Sequence, residues 1–223
     1  MYNLKGNPIL YPHQVAILKL FFASDFAKTF FLTGGTALAA FYLNHRESQD
    51  LDLFSMKPFD TLFLRNTMQE IALQTGAEMT TELRSQTYNE IFLENKEKNW
   101  SQKIDIIQEQ PVHFGDIVQV DGIPVDSLIN IATNKILAVY GRLEVKDYID
   151  LYVIFTSTNL LFEDMFELAK KKDTGLSEFY FANVIADVDQ FETIPRMKIP
   201  FNRQKFNDFF KELSHQMLLK LKP

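Results

Sequence analysis

Apolar residues fall in short alternating runs through much of the first half of the chain and recur at three- and four-residue intervals through the second. Tyr11–Lys28 carries Val15, Leu18, Phe22 and Phe26 on one face, with Pro12 near its start, and predicts a helix. Thr29–Leu32 is a short strand-like run leading to Gly34-Gly35, and Thr36–Leu43 predicts a helix beginning directly after those glycines. Leu51, Leu53 and Phe54 predict a strand, and Phe59–Thr75 a second amphipathic helix. Strand-like runs follow at Ala77–Leu83, Glu90–Leu93, Lys103–Ile107 and Ile117–Val120, and the turn Asp121-Gly122-Ile123-Pro124 then punctuates the chain. Beyond it the period becomes helical. Asp126 or Ser127 can cap a helix running to about Tyr140, with Gly141 placed to end it. Further helices fit Val145–Phe155, Phe162–Lys172, Ser177–Phe191 and Asn202–Leu221. The pattern predicts an α+β protein, with a small mixed lobe over residues 1–125 and a helical lobe over 126–223.

The chain has 223 residues and is 46% hydrophobic, enough to bury a sizeable core. It has no cysteine, which excludes disulfides, thiolate metal sites and cysteine nucleophiles together. The longest unbroken apolar run, Ala37–Leu43, is far short of the roughly 20 residues a membrane helix needs. No apolar segment of a secretory signal follows Met1-Tyr2-Asn3-Leu4-Lys5, so the expected compartment is the cytoplasm, without a membrane partner. The net charge of −6 is uneven: residues 1–125 hold 10 Lys+Arg against 15 Asp+Glu, residues 126–223 hold 13 against 14. Residues 196–223 carry Arg196, Lys198, Arg203, Lys205, Lys211, Lys220 and Lys222 against Asp208 and Glu212, a local +5. A uniformly basic nucleic-acid binder is excluded, whereas a basic flank beside an acidic pocket is not.

Four local features carry the chemistry. In Phe31-Leu32-Thr33-Gly34-Gly35-Thr36 a strand runs through two glycines into a helix, which lets backbone approach a ligand and presents free N–H groups to an anion. A tight turn needing φ > 0 explains two glycines equally well. In Asp50-Leu51-Asp52-Leu53 the two carboxylates share one face of a strand, and such hard oxygen ligands suit Mg²⁺ or Mn²⁺. In Lys103-Ile104-Asp105-Ile106-Ile107 a single aspartate interrupts an apolar strand; beside the first pair it would complete a three-carboxylate cluster able to hold two divalent ions. The fourth feature lies in the helical half: Lys135 sits on the apolar stripe of Leu128, Ile131 and Ala132, and Arg142, Lys146-Asp147 and Asp150-Leu151 follow, with Asp147 and Asp150 sharing a helix face.

The string Leu32-Thr33-Gly34-Gly35-Thr36-Ala37-Leu38, then His45-Arg46-x-Ser48-x-Asp50-Leu51-Asp52-Leu53-Phe54, then a lone aspartate on a later strand, resembles the DNA polymerase β-like nucleotidyltransferase superfamily. It is similar in particular to the AbiEii/AbiGii-type abortive-infection toxin branch, whose later motifs Lys135, Arg142 and Lys146-Asp147-x-x-Asp150-Leu151 match. The resemblance spans roughly residues 30–155. It implies a small mixed-sheet nucleotidyltransferase lobe with flanking helices, followed by a helical C-terminal lobe that closes the active-site cleft. It further implies that Asp50, Asp52 and Asp105 bind Mg²⁺ or Mn²⁺, with Asp105 helping to activate the incoming hydroxyl. Gly34, Gly35 and Thr36 would cradle the triphosphate of an NTP, and Lys135 would neutralise phosphate charge. Arg46 and Ser48 would support phosphate or metal, and Asp147 and Asp150 nucleotide placement or general base. The branch implies a toxin of a toxin–antitoxin or phage-defence pair, with tRNA or another RNA as acceptor and a cognate antitoxin as partner. Gly-Gly-Thr replaces the superfamily's frequent Gly-Ser, so any hydroxyl–phosphate contact falls to Thr36 or the backbone. Lys146 stands where the branch commonly has arginine and gives up bidentate geometry.

Two other functions remain open on the residues: transfer to a small cationic acceptor such as an aminoglycoside, which the acidic first lobe would suit, and a non-catalytic nucleotide-binding module. His13, His113 and His215 are scattered without a His–Asp pairing at ligand spacing and read as surface or packing residues. No Gly-x-Ser-x-Gly elbow or Walker A string occurs. Phe206, Phe209 and Phe210 read as core; Phe179 and Phe181 beside Tyr180 read as core too, with base stacking as the alternative.

Overall fold

The computed structural model describes residues 2–109 and 112–221, without the side chains of 81–84. The chain divides into two compact units, Met1–Asn44 with Ser48–Ser127, and His45–Glu47 with Leu128–Pro223. In the first unit α1 (Pro12–Ala23) leads through a 3₁₀ turn, Asp25–Thr29, to β1 (Phe30–Thr33). The short α2 (Gly34–Ala37) runs on into a π-helical turn, Leu38–Leu43. Next come β2 (Leu51–Ser55), α3 (Thr61–Thr75), β3 (Glu78–Arg84), β4 (Tyr88–Asn95), β5 (Trp100–Gln108), β6 (Val118–Val120) and β7 (Ile123–Val125). They form one mixed sheet, in the order β3-β4-β5-β2-β1-β7-β6.

Alternation decides the two faces of the sheet. Leu51, Leu53, Ile91, Leu93, Ile104 and Ile106 are all fully buried, so the residues between them are turned to the other side. Across that other side the register runs Thr33 opposite Asp52, Asp52 opposite Asp105, and Asp105 opposite Glu90. β2 lies parallel to β5 and antiparallel to β1. Helices α1 and α3 pack on each other. Phe21, Phe26, Phe30, Phe59 and Phe63 meet there in mostly edge-on contacts.

Several expected boundaries move, three of them for reasons the structure shows. The first helix stops at Ala23 because Ser24 turns extended and both its N–H and its hydroxyl go to the Phe21 carbonyl, at 3.0 and 2.7 Å. Ile123 and Pro124, expected in a turn, belong to β7. Only Asp121 (φ 49°) and Gly122 (φ 83°) make the turn, a two-residue hairpin loop of the Asp-Gly kind. Pro124 is tolerated because β7 joins β1 only through Leu32 opposite Val125, with the Asp126 N–H donating to the Leu32 carbonyl. The helix expected over Ser177–Phe191 ends at Ala186 and gives way to a 3₁₀ turn, Val188–Gln190.

The second unit contains α4 (Leu128–Gly141), α5 (Val145–Ser157), α6 (Phe162–Lys172), α7 (Glu178–Ala186) and α8 (Arg203–Lys220). α4 packs on α5 and α6, and α8 on α5 and α7. The core holds Ile131, Ile136, Val139, Phe166 and Phe181, and Tyr148 lies against Phe191 and Phe210. Phe206 and Phe210 are core as expected, while Phe179 and Tyr180 are exposed. The segment His45–Glu47 joins this unit: Glu47 N–H donates to the Arg196 carbonyl and Lys198 N–H to the His45 carbonyl. Among the described residues no helix is long and apolar enough to cross a membrane.

The stretch leading into β2 is held by side-chain amides. Gln14 Nε2 and Gln102 Nε2 both donate to the Gln49 carbonyl, at 2.8 and 2.6 Å, and both glutamines are buried. Replacing either by Met keeps the volume and removes the donor to Gln49; Gln14→Met also removes the acceptor of the Tyr11 N–H, and Gln102→Met the donor to the Lys103 carbonyl. The double variant Gln14→Met/Gln102→Met leaves the Gln49 carbonyl without either amide and is expected to lose about 1–3 kcal/mol, read as a lower urea midpoint at unchanged m-value. Each single variant should lose less, because the other amide remains.

Candidate active site

β1 delivers Thr33 to the start of α2, and Gly34 there has φ +69°, a conformation that L side chains rarely adopt. A Cβ at this position would lie 2.0 Å from Asp52 Oδ2 and 2.6 Å from its Cγ. Two separate requirements, backbone sign and the aspartate on its doorstep, therefore select glycine. Thr33 occupies the N-cap but makes no side-chain cap; its hydroxyl donates to Asp126 Oδ2 at 2.5 Å. Thr36 is fully buried, donates to the Asp50 carbonyl and lies 2.9 Å from Ser48 Oγ. Its hydroxyl thus braces the approach to β2, and the phosphate-facing capacity of this turn rests on backbone N–H groups.

Asp52 and Asp105 stand in register on neighbouring strands, and Asp50 immediately precedes β2. Among the described residues no three acidic or histidine side chains converge closely enough to hold a metal ion by themselves, so the expected cluster of three is not drawn together. Asp105 has other partners on its face of the sheet. Lys103 Nζ lies 2.7 Å from Asp105 Oδ2 and 3.0 Å from Glu90 Oε2. The Tyr88 hydroxyl lies 3.0 Å from Asp105 Oδ1 and 3.1 Å from Glu90 Oε2. Burial alone would lower the Lys103 pKa, but hydrogen bonds to Asp105 and Glu90 raise it above its ordinary value. Tyr88 is raised by burial and then by the Asp105 charge, while Glu90 is lowered by its bond from Lys103. The residues fit a hard divalent cation: the donors are carboxylate oxygens, and an ammonium already sits beside Asp105 as a stand-in for one.

The motif residues of the helical half form a second, deeper cluster. Arg46 grips Asp150 with Nε at 2.6 Å and Nη2 at 2.8 Å. His45 Nε2 lies 2.7 Å from Asp150 Oδ1, and its Nδ1 is buried without a hydrogen-bond partner. Lys135 Nζ lies 2.6 Å from both Asp150 Oδ2 and Asp147 Oδ1, and Arg142 Nε donates to Asp147 Oδ2 at 2.9 Å. Asp147 and Asp150 are fully buried. Burial would raise the Asp150 pKa, yet Arg46 and Lys135 hold it well below the usual carboxylate range. Burial would lower Lys135, yet Asp150 and Asp147 raise it. In this structure the lysine expected to meet phosphate is engaged by two carboxylates. Lys146 pairs with Glu144 at 3.0 Å.

Sequence reasoning missed several of these groups. His113 is not isolated: its Nε2 lies 2.8 Å from Asp126 Oδ1. His13, by contrast, packs as expected, stacked between Tyr11 and Trp100. His45, Tyr88, Glu90 and Lys103 received no role. The alternation of Tyr88 with Glu90, and of Lys103 with Asp105, is the only local signal that would have flagged the last three.

The mixed sheet, with a Gly-Gly turn at one strand end and two in-register aspartates beside it, has the fold of nucleotidyltransferases. The fold is similar over 95% of both chains to that of a candidate nucleotidyltransferase from H. pylori, at 17% identity and a TM-score of 0.61. It is also similar to JHP933 from Helicobacter pylori, at 15% identity and a TM-score of 0.59, covering 94% of this chain and 90% of that one. No curated protein matches the chain significantly. Residues 16–219 match the nucleotidyl transferase AbiEii toxins of type IV toxin–antitoxin systems, and the chain belongs to that family. It is a nucleotidyltransferase toxin; enzymes of this kind generally use an NTP and a divalent metal.

Gly34→Ala suffers both a positive φ and the Asp52 carboxylate, whereas Gly122→Ala at φ +83° meets nothing within 4 Å. Gly122→Ala should cost about 1–2 kcal/mol from conformation alone, and Gly34→Ala clearly more; equal losses in urea unfolding would remove Asp52 from the account. Asp150→Asn leaves Arg46 and Lys135 undercompensated and should cost about 3–5 kcal/mol near neutral pH. Because the folded Asp150 pKa is depressed, its contribution is present above the unfolded carboxylate value of about 3.9 and fades as pH falls towards the folded value. The stability gap between wild type and variant should therefore close on acidification.

Proposed function

We propose that this chain transfers a nucleotidyl group from an NTP to an RNA acceptor, releasing pyrophosphate, with Mg²⁺ or Mn²⁺ held by Asp50, Asp52 and Asp105. The observation that supports this best is the register of Asp52 on Asp105 next to the bare α-carbon of Gly34. What a divalent cation supplies when bound there is neutralisation of triphosphate charge and acidification of the attacking hydroxyl. The chain's own residues do the rest. Backbone N–H groups of Gly34, Gly35 and Thr36 receive phosphate oxygens, and the Thr36 hydroxyl fixes Asp50 through its carbonyl. Asp105, from a different strand, faces the acceptor hydroxyl and favours its deprotonation. Arg46, Ser48, Lys135, Asp147 and Asp150 act by holding the segments on either side of these groups, Ser48 through Thr36 and the others through the buried ion cluster. An antitoxin is the expected partner of the family's toxins in the cell.

The RNA acceptor rests on the basic end of the chain. There Arg196 and Lys198 lie against Glu47, at 3.3 and 2.8 Å, and Lys205 is exposed. Charge reversal of Arg203 and Lys205 should weaken RNA binding and flatten its salt dependence, by about one unit of slope for each phosphate that is no longer neutralised.

The decisive assay pairs Mg²⁺–NTP binding by calorimetry with label transfer from each NTP to total RNA. Asp52→Asn should lose both. Asp105→Asn should keep near-normal NTP binding and lose transfer by roughly 10²-fold or more. Full transfer by Asp105→Asn would overturn its role, and labelling of a small cationic acceptor in place of RNA would overturn the acceptor class.

A further inference from the structure

Asp105 is not alone on its face of the sheet. Lys103, two residues earlier on β5, and Glu90, directly opposite on β4, surround it with Tyr88. Two carboxylates share one ammonium and one phenol, so the group carries a net charge of −1 with Asp52 adjacent in register. The Tyr88 hydroxyl has a single proton for two carboxylate oxygens at nearly equal distance, 3.0 and 3.1 Å, and ties the pair together without adding charge. The lysine side chain is 28% exposed, so solvent ions reach it. Lys103, Glu90 and Tyr88 have no part in the proposed transfer reaction.

We propose that Lys103 is a displaceable internal counter-ion of Asp105, which a divalent cation replaces and which Glu90 then retains. This rests on the reading of Asp105 as a metal-binding carboxylate. Without a divalent ion, like charges on Asp52 and Asp105 repel, and the Lys103 ammonium offsets one of them. Its position 3.0 Å from Glu90 means that leaving Asp105 requires no journey through the protein: one of two existing ion pairs is released and the other kept. Lys103 therefore competes with the metal, while Glu90 draws it away and favours the metal. The two residues form a salt bridge with each other, yet removing them should move metal affinity in opposite directions. A merely structural bridge gives no such split, because loss of either partner would loosen the same strands.

The test is Mn²⁺ binding to the full chain without nucleotide, followed by electron paramagnetic resonance of the free ion, with far-UV circular dichroism and thermal midpoints in chelator as fold controls. Lys103→Met should tighten Mn²⁺ about tenfold, the order expected for removing one nearby positive charge at a partly exposed site. Glu90→Gln should weaken it, and in the Lys103→Met background the Glu90→Gln effect should shrink to that of removing one nearby negative charge. Lys103→Gln provides a second variant with a polar side chain and should tighten binding in the same way. Weaker or unchanged Mn²⁺ binding in both lysine variants, with Asp105→Asn still weakening it, overturns the counter-ion proposal alone. Unchanged Mn²⁺ binding in Asp105→Asn overturns the metal reading itself, and the proposal with it.

Discussion

The site depends on one pairing: β2 lying parallel to β5 so that Asp52 stands opposite Asp105. A strand shows its residues alternately to two faces, and a slip of one residue exchanges them. Here Leu51, Leu53, Ile104 and Ile106 are fully buried, so the slipped register would bury carboxylates and expose four large apolar side chains. At about 1.5–3 kcal/mol for each such side chain, the hydrophobic face alone fixes the register. The functional face is thus positioned by residues that take no part in chemistry. Parallel pairing has a topological cost as well, since the chain must travel from β2 through α3 and an antiparallel β3–β4 pair before β5 returns alongside.

A second constraint acts on the approach to β2. Residues 45–47 pack with the helical unit although the chain on both sides of them belongs to the other. Asn44, at φ 50°, ends the π-helical turn and releases the chain into that segment. Main-chain bonds to residues 196 and 198 hold it, and the Arg46 fork on Asp150 adds a charged clamp. Ser48, on its far side, is already tied to Thr36, and Gln49 to two buried glutamines. The run of residues before β2 is therefore specified from several directions. That degree of restraint is what a carboxylate such as Asp50 needs if its position is to matter to within a fraction of an ångström.

How far this was legible follows from range. The strands showed in the sequence because their alternation is local, and so did the Gly34-Gly35 turn and the Asp50–Asp52 spacing. The juxtaposition of Asp52 with Asp105 could be stated only as a condition, because nothing local names the partner of a parallel strand. β7 was hidden by Pro124, a residue that argues against a central strand and is tolerated here through a single bridge to β1. Lys135 stood out as a charge on an apolar stripe, which invited a phosphate. Its actual neighbours, Asp147 and Asp150, lie one helix further on, and a second requirement, the 45–47 segment, lies more than a hundred residues from Asp150. Charged residues at buried positions announce that a partner exists without saying which one.

The two charge clusters differ in a way that bears on what each can do. Around Asp150 three cations, Arg46, Lys135 and Arg142, meet two carboxylates, and every one of these groups except Arg142 is buried. Removing a buried member leaves an uncompensated charge in a medium that solvates it poorly, so that cluster resists exchange and acts as a clamp. Around Asp105 the balance is reversed: two carboxylates share one ammonium, and all three side chains keep some contact with solvent. There the charges are only partly desolvated, so exchanging one costs less than it does around Asp150, and the residual negative charge attracts a further cation. One fold thus holds an electrostatically closed cluster around Asp150 and a more open one around Asp105. The difference comes from burial and stoichiometry, because acidic and basic side chains make up both.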